Sequence, residues 1–248
     1  MKIAIIVPYY TPDENTKQLF ERCKASIDGR FETIFVDSMK IGLGVSAARN
    51  HGLDIAARMD LDYITFLDAD DTLEPNAYDQ MLAAISEAPD APLIQMNHKR
   101  MQPNGSAYVK FFNRRGTYEL DNLPSLWVCV WNKLYKSEIL NDKEFETQVR
   151  FIEGLDHGED ELFVLEALAF ARRVYCSERV AMTHYFDNPN SLSKTCGFTD
   201  LIDEQMNLLR FAAFHAGDAS LCEAVRLREI ELWSNNVYRR VFGKNLNI

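Results

Sequence analysis

The sequence predicts an α/β fold, with a mostly parallel central sheet flanked by helices and a C-terminal helical segment appended. Three observations support it. Short β-branched and aromatic runs at 3–7, 32–36 and 63–67 alternate with segments of helical period. These runs stop at Pro8, Asp37 and Asp68. Such β-α-β-α-β alternation implies parallel strands joined by right-handed crossovers, a nucleotide-binding type of half-domain. Beyond residue 198 the apolar pattern is helical only.

The run Ile3-Ala4-Ile5-Ile6-Val7 is continuously apolar, as expected of a strand buried on both faces, and Pro8 is expected to end it. Leu19, Phe20, Cys23 and Ile27 recur at helical spacing, predicting a helix over 15–28. A second strand covers 32–36. A second helix opens at Ser46, the expected N-cap, and turns Ala48, Ile55 and Ala56 toward the sheet. After the strand at 63–67, Pro75 opens a helix to about Ile85, and a fourth strand covers 92–96. Pro103-Asn104-Gly105 sits inside a basic, aromatic stretch at 97–118 and signals a hairpin. Residues 159–171 read as a helix. Leu201, Ile202, Met206, Leu209 and Ala213 form one further apolar stripe, ended by Gly217. Ser220-Leu221-Cys222-Glu223 fits a capping box for a last helix reaching about Phe242.

The chain has 248 residues, enough for one large α/β domain with a helical appendage. Its formal net charge of −10 disfavours a polyanion as main partner. The basic residues at 99–115 read as a solvated face, with an acceptor or phosphate surface as the rival, and Arg226, Arg228, Arg239, Arg240 and Lys244 as another, with anionic lipid, nucleic acid or a partner as the rival. Five cysteines without a CxxC spacing suggest neither a zinc site nor a disulfide framework, and fit a reducing cytoplasm. The opening apolar run is too short for a signal peptide or membrane span, so a cytoplasmic protein, at most peripheral to a membrane, is expected.

The acidic stretch Asp68-Ala69-Asp70-Asp71 sits at the carboxyl end of an apolar strand, where ligands of open α/β sheets gather. Carboxylates so crowded call for a cation, and alternation along an extended chain would turn Asp68 and Asp70 to one side. Asp37 closes the second strand, where a carboxylate can accept hydrogen bonds from a base or ribose. Arg49 follows a helix N-terminus and suits an anion. Glu159 and Asp160 open a helix after Gly158.

The ordered segments IVPYY, ETIFVD, GVSAARNHGL, YITFLDADD, VWNKLY, GEDELF and HYFDNPNSLS resemble glycosyltransferase family 2 over residues 2–195. The resemblance implies the GT-A fold, a Rossmann-like α/β architecture. It also implies transfer of a sugar, with inversion, from a nucleotide-diphosphate donor, a UDP-sugar first, to an acceptor hydroxyl. Mn²⁺ or Mg²⁺ is the implied cofactor. The acceptor would be a glycan, a lipid-linked glycan or another hydroxyl; a nucleic acid is less favoured. Residues 1–198 would form the catalytic domain, with 1–96 binding the nucleotide-sugar and 97–198 the acceptor, and 199–248 a helical extension.

By the same resemblance Asp70 would ligate the metal, Asp68 the metal or the ribose, and His184 would add a further metal contact. Pro8, Tyr10, Asp37 and Arg49 would bind the donor, and Asp71 would meet the donor sugar or cap the following helix. Asp160, with Glu159 second, would be the base. Trp131 and Lys133 would face the acceptor, and Ser191 and Ser193 lie in a loop that closes over the donor in relatives. The sequence departs from the family where Asp37 is followed by Ser38-Met39-Lys40 rather than by a second aspartate and Gly-Ser. Two other readings compete. Asp68-Ala69-Asp70-Asp71-Thr72 also fits the nucleophile motif of haloacid-dehalogenase-like phosphatases, although that motif normally closes a first strand. The other is a non-catalytic sugar-nucleotide or glycan-binding module.

Overall fold

β1 (Ile3–Tyr9) lies between two parallel neighbours, β2 (Glu32–Asp37) and β3 (Tyr63–Phe66). The structure is a computed structural model that describes residues 1–42, 44–110, 114–120, 123, 129–142, 147–155, 157–188 and 198–232. Side chains of β1 alternate between two cores. Ile3, Ile5 and Val7 pack with Phe20 and Cys23 of α1 (Glu14–Ser26) and Met81 and Ile85 of α4 (Ala77–Glu87). Ala4 and Ile6 pack with Ala48 and Leu53 of α3 (Gly44–Ala56) and Phe163 and Val164 of α6 (Glu159–Ala171). A sheet between two helical layers is thus dictated by one strand that is apolar at every position. Each of these large β1 side chains, being fully buried, contributes about 1.5–3 kcal/mol relative to exposure.

The strand does not stop at Pro8, as the sequence suggested. Ile6 accepts from the Leu67 N–H, so its polar groups face β3. Pro8, two residues on, faces the same edge, where β3 has already ended at Phe66. No ladder bond is needed there, so a residue lacking an N–H fits.

Within the nine-stranded sheet the order is β2-β1-β3-β8-β5-β11-β4. The strands not yet placed are β4 (Thr72–Leu73), β5 (Leu93–Met101), β8 (Lys133–Lys136) and β11 (Arg173–Tyr185). β8 runs antiparallel to both β3 and β5, so β2, β1, β3, β5 and β11 share one direction in a mixed sheet. β6 (Ala107–Lys110) pairs with β5 through the expected hairpin, where Gln102 donates to the Ser106 carbonyl and Gly105 takes φ 80°. β7 (Gly116–Glu119) pairs with β11. The fourth strand extends to Met101, beyond the expected 92–96, and α4 begins at Ala77, two residues after Pro75. Short α2 (Ser38–Ile41), α5 (Ser137–Leu140) and the two-residue strands β9 (Asn141–Asp142) and β10 (Thr147–Gln148) complete this part.

Helix α7 (Phe198–Phe214) and helix α8 (Ala219–Leu232) follow. Leu208 and Val225 are buried with Leu162 and Leu165 of α6. The sequence had picked the stripe carrying Met206 and Leu209, yet these are 44% and 46% exposed. α7 is apolar on two faces, and periodicity alone does not say which one packs. The cap of α8 also differs from the expected Ser220. The Asp218 carboxylate accepts from the Leu221 N–H at 3.1 Å and is anchored by Arg172. An anion satisfies the helix N-terminus better than a hydroxyl does. No helix among the described residues is long and apolar enough to cross a membrane.

Close packing of α3 on β1 yields a direct test. A Cβ built on Gly52 would lie 2.5 Å from Cγ2 of Ile6, whose side chain is fully buried. Alanine is the better helix former by about 1 kcal/mol, but the overlap costs about 1–3 kcal/mol. Gly52→Ala is therefore expected to lower the Tm by a few degrees in differential scanning calorimetry. A raised Tm would show that α3 can move away from β1 freely.

Candidate active site

The acidic stretch begins where β3 ends. Asp71 donates its N–H to the Asp68 carbonyl at 3.0 Å, closing a turn, and β4 then pairs with β11. Because the chain turns here, the extended alternation expected for Asp68 and Asp70 does not apply, and the three carboxylates diverge. Asp68 accepts from Arg49 at 3.0 Å. Asp70 accepts from the side-chain amide of Asn188 at 2.8 Å. Asp71 is fully buried and accepts from the Tyr185 N–H at 2.9 Å, with His184 Nδ1 at 3.0 Å and 3.1 Å from its two oxygens. It does not cap α4, which starts beyond Asn76. It ties the turn to β11.

These environments separate the carboxylates electrically. Burial pushes the Asp71 carboxyl up to about 7, against the pull of His184. Burial, with the charge of Asp68 added, also raises Asp70 above the usual carboxylate range. For His184, burial opposes the cation, but the hydrogen bond and charge of Asp71 outweigh it and raise the imidazole. Both members of the His184–Asp71 pair thus retain protons more firmly than their free forms.

Arg49 joins the two halves of the chain. Its side chain is 4% exposed, and it donates to Asp68, to Glu159 at 3.1 Å and to Asp160 at 2.5 Å. Its guanidinium also sits over the Phe151 ring at 5.2 Å. The sequence placed Ser46 at the helix N-cap, but α3 starts at Gly44, with φ 82°, and Ser46 is buried inside the helix. Starting two residues earlier leaves Arg49 in the second turn, within reach of α6.

Glu159 and Asp160 occupy the first turn of α6, entered through Gly158 at φ 78°. A helix N-terminus favours carboxylates there. The second oxygen of Asp160 accepts from the Val130 N–H at 3.3 Å. Its side chain keeps 21% exposure, so it is largely buried yet reachable. Burial pushes Asp160 up to about 7; Arg49 pulls it down, while the charges of Glu159 and Asp68 raise it.

The remaining expected residues fall around this centre. Asp37 ends β2 beside Tyr9 and caps α2, accepting from the Met39 N–H at 3.0 Å. Tyr10 is 59% exposed just past β1. Trp131 is 4% exposed and stacks on His184, centroids 5.0 Å apart, with its edge contact to His98 at 4.8 Å. Lys133 is 1% exposed and donates to the Cys129 carbonyl at 2.7 Å, and burial pulls its amine down to about 7. Ser191 and Ser193 lie outside the described residues, as do Arg239, Arg240 and Lys244. The sequence reading missed Asn188, which reaches Asp70, and Arg22, which contacts the same turn. Asn188 was present in the quoted HYFDNPNSLS segment, but nothing local distinguished it from Asn190.

The model of glycosyl transferase family 2 matches residues 13–143, more than half of the chain. The chain belongs to glycosyl transferase family 2. "Putative glycosyltransferase EpsH" of Bacillus subtilis (strain 168) is 27% identical over 161 residues, covering 60% of this chain and 43% of that protein. S. aureus TarS 1–349 in complex with UDP-GlcNAc has a similar fold, with TM-score 0.64 and 18% identity over 86% of this chain and 66% of that one. The same protein in complex with UDP gives TM-score 0.57 and 20% identity over 75% of this chain and 60% of that one. This family 2 chain therefore spans between about two fifths and two thirds of the length of these relatives. The likeness to TarS supports the GT-A architecture, with β1, β2 and β3 leading into the acidic turn.

Proposed function

We propose that this chain moves a sugar from a nucleotide-diphosphate donor to an acceptor hydroxyl with inversion at the sugar, Asp160 serving as base. One observation carries the reading. Asp160 is a largely buried carboxylate raised toward neutrality, held on Arg49 at the carboxyl edge of the sheet, beside the Asp68–Asp71 turn. A base is most effective when its pKa lies near the working pH. With one oxygen on Arg49 and the other near Val130, Asp160 is held in a fixed orientation. It takes the acceptor hydroxyl's proton as that oxygen attacks the anomeric carbon opposite the leaving diphosphate. Glu159 shares Arg49 and keeps Asp160 basic through its charge.

The donor would lie across the carboxyl ends of β1, β2 and β3. Pro8, Tyr10 and Asp37 would border the base, and Asp68 the ribose. Arg49 would serve the donor by fixing Asp68, since both of its terminal nitrogens already engage carboxylates. A UDP-sugar is the first candidate, because the structurally similar TarS binds UDP-GlcNAc. The acceptor would be a glycan, a lipid-linked glycan or another hydroxyl; Trp131 and Lys133, expected to face it, are buried and would support its site from beneath.

The acidic turn fits a divalent cation. Among the described residues no three or more His, Cys, Asp or Glu side chains converge as a metal cage. Mg²⁺ and Mn²⁺ sites in phosphate enzymes commonly use one or two carboxylates and complete the shell with phosphates and water. Burial first, and the charge of Asp68 second, raise the Asp70 carboxyl, and a cation beside it would offset both. Asp70 would hold the ion, with Asp68 second; His184 has Nδ1 on Asp71, leaving only Nε2. When bound, Mn²⁺ or Mg²⁺ would neutralise charge on the departing diphosphate.

Screening UDP-, dTDP- and GDP-sugars for thermal stabilisation, with and without Mn²⁺, tests donor and metal together. Asp70→Ala is expected to abolish the Mn²⁺-dependent part of the stabilisation. Equal donor affinity in Asp70→Ala and wild type, by titration calorimetry, would refute the metal assignment.

A further inference from the structure

Asp70 is half-buried in the acidic turn, and its carboxylate needs a fixed direction to serve as ligand. Its side chain accepts from the Asn188 amide, in the segment that follows β11, at 2.8 Å. A residue from a third element holds both pieces. Arg22, on α1, donates through one terminal nitrogen to the Asp70 backbone carbonyl and through the other to Asp187 at 2.6 Å. Its guanidinium carbon lies over the Tyr185 ring, 3.8 Å from the centroid. Tyr185 in turn gives its N–H to Asp71.

The placement follows from the fold. α1 leaves the carboxyl end of β1 and runs back along the sheet, and helical side chains lean toward their own N-terminus. Arg22 therefore leans toward the site, while Phe20 and Cys23 on the same helix are buried against the sheet. The guanidinium is a rigid fork that can hold a carbonyl and a carboxylate at once, and it stacks on an aromatic face. A lysine ammonium would lack this planar fork and could not stack on the ring in the same way.

We propose that Arg22 is a positioning residue for donor and metal binding. It locks the Asp70 backbone to the Asp187–Asn188 segment, so that Asn188 presents the Asp70 carboxylate in a single orientation. The inference rests on the reading of Asp70 as the donor-side cation ligand. The side chains of Arg22 and Asp187 are 30% and 40% exposed, so the ion pair itself adds little to stability. Its effect is on geometry.

The test compares Arg22→Met, Arg22→Lys, Asp187→Asn and Asp70→Ala in the whole chain. UDP affinity is titrated at several Mn²⁺ concentrations, ligand-free Tm is measured, and kcat and KM for donor hydrolysis are separated. Arg22→Met is expected to weaken Mn²⁺-dependent UDP binding about 10–100-fold, the range seen when residues supporting a metal ligand are lost. Its ligand-free Tm should fall by no more than about 2–4 °C. KM should rise while kcat at saturating donor and Mn²⁺ stays near wild type, and Arg22→Lys should recover part of the loss. A merely structural role would instead lower Tm and the active fraction together. Wild-type Mn²⁺–UDP affinity in Arg22→Met, alongside its loss in Asp70→Ala, would overturn the clamp and leave the Asp70 reading intact. Wild-type affinity in Asp70→Ala would overturn the reading itself. Should Arg22→Met fail to fold, Asp187→Asn decides: weaker Mn²⁺–UDP binding at unchanged Tm supports the clamp, and wild-type binding refutes it.

Discussion

Asp160→Asn is expected to lower kcat about 10²–10⁴-fold, the usual worth of a positioned base, while leaving donor affinity nearly unchanged. The substitution keeps the shape and the contact to the Val130 N–H but removes the site that accepts the acceptor's proton. The pH profile provides a second reading of the same group. Burial holds Asp160 protonated up to about pH 7, and the protonated form cannot act as base. Wild-type kcat/KM should therefore climb with pH below about 7 and level off above it, and this limb should vanish from the residual activity of Asp160→Asn. A limb near the free aspartate value of about 4 would show that burial does not tune this group. Turnover by Asp160→Asn at the wild-type rate would remove it from the chemistry altogether.

Replacing Arg49 by Met should have the largest effect on stability. Asp68, Glu159 and Asp160 all meet its guanidinium, and Asp160 and Glu159 are 21% and 12% exposed. Removing one partner of a buried ionic group costs about 3–5 kcal/mol, because the remaining charges are left without compensation. For a domain of this size that is about 6–20 °C in Tm. The sign with pH follows from the charge. Without Arg49 the carboxylates repel one another and bind protons more readily, so the loss should be greater at pH 8 than at pH 5. Urea unfolding at the two pH values measures this directly. Wild-type stability at pH 8 would mean that the carboxylates find water or another cation. Arg49→Lys should fall between, since a point charge cannot serve three acceptors in one plane.

Where chemistry was concentrated in one short run, the sequence reading reached far. Ile3–Val7 was expected to be a strand buried on both faces, and the acidic stretch was expected at the carboxyl end of the third strand. Both expectations rest on local composition, and the structure shows a fully buried Ile3–Val7 run in β1 and carboxylates just beyond Phe66. The reading was weaker where a choice depended on a partner distant in the chain. The strand at Arg173–Tyr185 went unread because Ser177-Glu178-Arg179 interrupts its apolar pattern. Those polar residues are nonetheless satisfied, Arg179 and Ser177 both reaching Glu87 on α4. In α7 two apolar faces competed, and the packing of α6 selected the one carrying Leu208.

The acidic turn shows the division most clearly. The sequence by itself determined that carboxylates would gather at the end of β3, since an apolar strand stops there and charge begins. It could not determine their directions, because these depend on hydrogen-bond partners 19 to 118 positions away in the chain. Tertiary structure sent Asp68 to Arg49, Asp70 to Asn188 and Asp71 to His184 and the Tyr185 backbone. A carboxylate entering a dry site must find donors, and only the assembled fold supplies them.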